Sequence, residues 1–177
     1  MLYQLKEIQK LALSPVRMAA QLYSHVLKSP YNPISETPQA QTLAAGFDLF
    51  AETTQYHGKP AFGLTSTLVD GKEVAVTEEI LHRKTFCQLK HFKRETKNKD
   101  PKLLIVAPMS GHFATLLRGT VERMMQNHDV YITDWRDAAN VPFYEGRFDL
   151  DDYIDYIIEY LDILGPDTHV MAVCQPG

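Results

Sequence analysis

LLIVAPMSGHFATLLRGTVERMMQNHDVYITDW (103–135) decides the fold, together with HVMAVCQPG (169–177) further on. LLIVAP (103–108) is a short, continuous apolar run, the pattern of a strand buried on both faces. After a loop at Ser110-Gly111, Phe113, Leu116, Leu117, Val121, Met124 and Met125 recur at helical spacing. DVYITDW (129–135) reads as the next strand. Leu150, Tyr153, Ile154, Ile157, Ile158, Leu161 and Leu164 then mark a long amphipathic helix. Asp149, Asp151 and Asp152 stand at its start, where the helix dipole favours negative charge, and Gly165-Pro166 ends it. HVMAVC (169–174) is expected as a third buried strand. Alternation of strand and helix at this spacing predicts parallel βαβ units.

Upstream, the period changes. FGLTSTLV (62–69) and KEVAVTEEI (72–80) are strand-like runs around Asp70-Gly71, a tight-turn pair. FCQLKHF (86–92) follows as another strand, with Cys87 a structural residue inside it. Residues 1–57 read as a helical segment. Ser14-Pro15 and Thr37-Pro38 each look like a cap followed by proline at the first helical position. Leu43, Phe47 and Phe50 share a face of the second helix and are expected to pack in the core. The predicted organisation is a helical segment at 1–57, then an α/β portion at 58–177 that opens with an antiparallel meander.

Composition excludes several classes. Eighteen basic against twenty-two acidic residues leave a formal charge of −4, the wrong sign for a dedicated nucleic-acid binder. No apolar run reaches the roughly 18–20 residues of a membrane span. MLYQLKEIQK carries charges where a secretory signal is apolar, so a cytoplasmic protein is expected. The two cysteines make no disulfide framework and show no metal-ligand spacing. Neither GxGxxG nor GxxxxGK[ST] occurs, so neither common phosphate-cradling loop is present; no cofactor or metal is expected.

Ligands of open parallel sheets bind beyond the carboxyl ends of the strands. Pro108–His112, Asp134–Asp137 and Cys174–Gly177 fall there. Ala172-Val173-Cys174-Gln175-Pro176 is a loose nucleophile elbow, with small flanks and cysteine in the nucleophile position. In such an elbow the backbone N–H of Gln175 is the first oxyanion donor, and the Ser110, Gly111, His112 loop is the candidate for the second. The residues alone leave a second reading of Cys174, as a small side chain buried at a strand end. His112 reads as a loop or cap residue rather than a base, and Asp134 and Asp137 as turn and cap residues.

These segments carry a resemblance. MLYQLKEIQKLALSPVRMAAQLY, APMSGHFATLLRGTV, HDVYITDWRDA, FDLDDYIDYIIEYLDILGPD and HVMAVCQPG resemble successive blocks of the intracellular poly(3-hydroxybutyrate) depolymerase family. The likeness runs along all 177 residues and covers less than half of a family member. It implies an α/β-hydrolase fold and a cysteine nucleophile at Cys174, with polyester granules or oligomers as substrate. The family's catalytic Asp and His have no counterpart here, because the sequence stops three residues after Cys174. A second polypeptide completing the sheet is a possible partner on this reading. Two other functions remain open: a polyester synthase-like acyltransferase, and a non-catalytic remnant of a truncated or split gene.

Overall fold

The computed structural model describes residues 2–55, 58–109 and 113–176, and the side chains of these except 2–11 and 139. The chain divides into two compact units, Met1–Gly58 and Lys59–Gly177.

The first unit is a helical hairpin of α1 (Leu2–Leu27) and α2 (Pro38–Thr54). Thr37 caps α2 as expected: its hydroxyl accepts from the Ala40 N–H at 3.3 Å and Pro38 takes the first helical position. Pro15, by contrast, does not open a helix but lies inside α1. The preceding LYQLKEIQKLAL is itself rich in good helix formers, so the proline removes one backbone bond without ending the element. Across the hairpin, the Asp48 carboxylate accepts from Lys28 and from Ser24, which hold it below the usual carboxylate range.

Among the described side chains of the hairpin, the buried ones are small: Ala20, Ser24, Ala40, Ala44 and Ala51. The expected packing of the aromatic stripe is therefore corrected. Phe47 and Phe50 are half-buried and Leu43 is exposed. With Val16 and Tyr23 of α1 they line an apolar groove of about 530 Å³. Alanines let the helices approach closely on one side, which leaves the large side chains to diverge on the other.

The second unit is mixed α/β, with a six-stranded mixed sheet ordered β1-β2-β3-β5-β4-β6. Its strands are β1 (Ser66–Val69), β2 (Lys72–Arg83), β3 (Cys87–Arg94), β4 (Lys102–Val106), β5 (Asp129–Trp135) and β6 (His169–Ala172). Asp70 and Gly71 have φ of 50° and 75°, the two left-handed residues that a tight hairpin between β1 and β2 requires. β1, β2, β3 and β5 pair antiparallel, whereas β4 is parallel to both β5 and β6.

Both faces of the sheet centre are covered. Register pairs Cys87 with Trp135 and Leu89 with Thr133 on one face, where Tyr153 and Tyr156 of α4 (Leu150–Leu164) stack on the Trp135 ring. On the other face Phe92 meets Phe62 edge-on at 5.0 Å, and Arg118 of α3 (Arg118–Met124) donates to the Phe62 carbonyl at 2.7 Å. This double cover explains why FCQLKHF lacks strict alternation: Cys87, Leu89 and Phe92 are all buried.

Two expectations fail here for geometric reasons. HVMAVC is not a buried strand: His169, Val170 and Ala172 are exposed, because β6 is an edge strand hydrogen-bonded only to β4. Leu116 does not join the buried helical face but is exposed, because Ala114–Leu117 form a tighter 3-10 turn that rotates it outward. α4 keeps its predicted bounds and opens with an Asp149/Asp152 capping box. Tyr160 and Leu164 are its buried anchors, whereas Leu150, Ile154 and Ile158 are exposed.

Candidate nucleophile elbow

Since β4, β5 and β6 are mutually parallel, their carboxyl ends lie at one end of the sheet. The backbone of β4 is gripped where it leaves. Thr133 accepts from the Ala107 N–H through its hydroxyl at 2.9 Å, and the Trp135 indole N–H donates to the Ala107 carbonyl at 2.9 Å. Both side chains come from β5 two residues apart, hence from one face. They satisfy backbone groups that would otherwise be buried and unpaired. β6 stays joined to β4 one residue beyond its strand, through Val173 N–H to Val106 C=O at 3.2 Å. Cys174 therefore follows directly after the last bond of the ladder, beside the chain that leads from β4 into residues 107–109.

Cys174 has φ of 68° and is exposed. The other non-glycine residues with positive φ among those described are Asp70 and Asp167, a residue type that tolerates this conformation. A cysteine held there is strained by about 1–2 kcal/mol. Gln175 and Pro176 continue as a turn. This exposed, left-handed position is what an elbow requires, and it does not fit a small side chain buried at a strand end. Ser110, Gly111 and His112 lie outside the described residues.

Cys87 is the opposite case. It is fully buried between the sheet and α4, and burial pushes its thiol up to about 12. At neutral pH it is an inert, protonated core residue.

Asp134 is neither a turn residue nor a cap. It is buried within β5, ion-paired with Lys59, and lies 3.9 Å from the Lys90 ammonium. A buried carboxylate requires such partners, but its place in DVYITDW gave no hint of them, since both lysines come from distant segments. A further cluster, also illegible in sequence, sits at the other end of β5. Asp129 accepts from Tyr131 at 2.8 Å and meets the His91 Nε2 at 2.8 Å, with the two rings stacked. Burial pushes the Asp129 carboxyl up, yet these hydrogen bonds outweigh it and hold the group below its usual range. The strand separates this cluster from the elbow end by roughly 20 Å, at about 3.3 Å per residue, so it serves the sheet rather than Cys174.

No group of three or more metal-ligating side chains occurs among the described residues, and no described helix is long and apolar enough to cross a membrane. Comparison with family models, with characterised proteins and with solved structures finds no match to this chain.

Proposed function

We propose that this chain is the nucleophile-bearing part of an α/β-hydrolase-type polyester depolymerase, with Cys174 as nucleophile. One observation carries the reading: an exposed cysteine in the left-handed region, one residue beyond the last ladder bond of a parallel strand. The sheet agrees with it. In the hydrolase order the elbow strand lies beside the first parallel strand, and β6 pairs with β4. The substrate class, an aliphatic 3-hydroxyalkanoate polyester, rests on the sequence resemblance.

On this reading the reaction is acyl transfer through a thioester. The Cys174 thiol passes its proton to a histidine base supplied from outside these residues, and the sulfur attacks an ester carbonyl. The developing oxyanion is held by the Gln175 N–H. Collapse expels the alcohol end of the polymer, which takes a proton from the base, and leaves an acyl thioester. Water then releases the 3-hydroxy acid.

The test is stoichiometric acylation of the chain by p-nitrophenyl 3-hydroxybutyrate. The expected result is one equivalent of nitrophenol, a thioester on Cys174 by mass spectrometry, and no steady turnover without an added base. Acylation no faster than that of the urea-unfolded chain would overturn the reading, because a preorganised oxyanion site must accelerate the step.

A further inference from the structure

The helical hairpin carries more apolar surface than its two helices cover between them. At about 100° per residue, an arc of about 180° on α1 holds no charged side chain; it runs from Leu22 through Val26, Tyr23 and Ala20 to Leu13. On α2 the corresponding arc, from Phe50 through Leu43 and Phe47 to Ala44, is narrower, about 120°.

These widths set how many neighbours each helix can use. Three helices in mutual contact stand at the corners of a triangle, so successive neighbours lie about 60° apart around an axis. An arc of about 120° therefore suits two neighbours and one of about 180° suits three. Within the hairpin each helix has one neighbour, the other, packed across the buried alanines. Beside that seam lies the groove of about 530 Å³, where the Tyr23 and Phe47 rings stack at 5.8 Å. Val16, Tyr23 and Leu43 on the groove, and Leu22 and Val26 on the outer flank of α1, are each more than half exposed.

A single helix laid in the groove gives α2 its second neighbour but leaves α1 with two and its flank bare. A second hairpin related by a two-fold axis completes both: its α1 enters the groove and its α2 lies along the flank. α1 then has three neighbours and α2 two, as their arcs require. The charges agree. An isologous interface sets a face against itself, so a charge near the axis would meet its own like. Arg17 donates to the Thr54 carbonyl at 3.1 Å and Lys28 pairs with Asp48, all three charges lying outside the apolar arcs. The exposed side chains together offer about 500 Å² per copy. A dimer then buries about 1,000 Å², the lower bound of a specific interface, so its dissociation constant should be on the order of 10 μM.

We infer that the hairpin is a self-association module, through which two copies of this chain pair as a four-helix unit. The inference is independent of the chemistry at Cys174.

The test is sedimentation velocity of the 177-residue chain from about 1 to about 100 μM, a range that brackets the expected constant. The unmodified chain should pass from monomer to dimer. Val16→Glu and Leu43→Lys each place a charge on one wall of the groove and should weaken the dimer at least about tenfold. Both positions are exposed and both new residues are good helix formers, so helical circular dichroism should be retained. Leu49→Glu alters an equally exposed residue on the far side of α2, and Val170→Lys blocks pairing through the β6 edge; both should dimerise as the unmodified chain does. A monomer up to about 100 μM assigns the groove to another occupant and overturns the inference. So does a dimer that Val16→Glu and Leu43→Lys leave intact, an equal loss in Leu49→Glu, or a loss in Val170→Lys.

Discussion

Breaking the Lys59–Asp134 pair should destabilise the second unit, and more so from the lysine side than from the carboxylate side. Asp134 is 2% exposed at its side chain, whereas Lys59 is 35% exposed. Replacing Asp134 by alanine frees Lys59 to turn into water, and Lys90 retains Glu78 at 2.8 Å. The cost is then a lost pair and a small void, about 2 kcal/mol. Replacing Lys59 by methionine keeps the apolar stem but leaves a buried carboxylate whose remaining ion-pair partner among the described residues is Lys90 at 3.9 Å. That uncompensated charge should cost about 3 kcal/mol, the low end for a broken buried pair because the lysine was partly hydrated. In the double variant the orphaned charge is gone, so its loss should return to about 2 kcal/mol, a coupling of about 3 kcal/mol. Urea unfolding followed by fluorescence of Trp135, the chain's one tryptophan and the next residue in β5, measures all three variants. A coupling below about 0.5 kcal/mol, within the scatter of independent sites, would refute the claim that the pair sustains the burial of Asp134.

Further outcomes follow from the same packing. In the native chain one of the two cysteines, Cys174, should react with a thiol reagent within seconds to minutes, and Cys87 only after denaturant is added; two fast thiols would contradict the burial of Cys87. Asp129 carries a lowered carboxyl, so its contribution to stability is present above the unfolded value of about 3.9 and is lost as pH falls through the lower folded value. Asp129→Asn should therefore flatten the acid limb of a stability–pH curve, below about pH 4, and an unchanged limb would count against the His91–Asp129 hydrogen bond. Val170→Lys, placed on the exposed edge strand β6, should reduce concentration-dependent aggregation in light scattering without moving the unfolding midpoint. Asp149→Ala removes the α4 capping box and should cost about 1 kcal/mol by urea denaturation.

Several features were legible because they are local. The Asp70-Gly71 turn, the Thr37-Pro38 cap and the Asp149 start of α4 each depend on residues within one turn of chain. The candidate elbow was legible in part: small flanks around Cys174 follow an apolar run, and the structure sets Cys174 exposed and in the left-handed region. The side-chain clamps on the end of β4 were not. Thr133 and Trp135 look like ordinary strand residues until β4 lies beside β5, and the Lys59–Asp134 pair joins residues 75 positions apart.

What the sequence determined by itself was periodicity: apolar runs at strand length, helical stripes between them, and turn chemistry at the junctions. These set the element types and the alternation that makes β4, β5 and β6 parallel. What only the tertiary structure decided was which surfaces found a partner. HVMAVC has the composition of a central strand, yet β6 pairs on one side alone and stays exposed. Phe47 and Phe50 have the spacing of core residues, yet alanines close the helical hairpin and leave the rings in a groove. Cys87 and Cys174 are chemically identical. One is an inert buried thiol and the other an exposed, strained one, because burial and backbone conformation are properties of the assembled sheet and not of the residue.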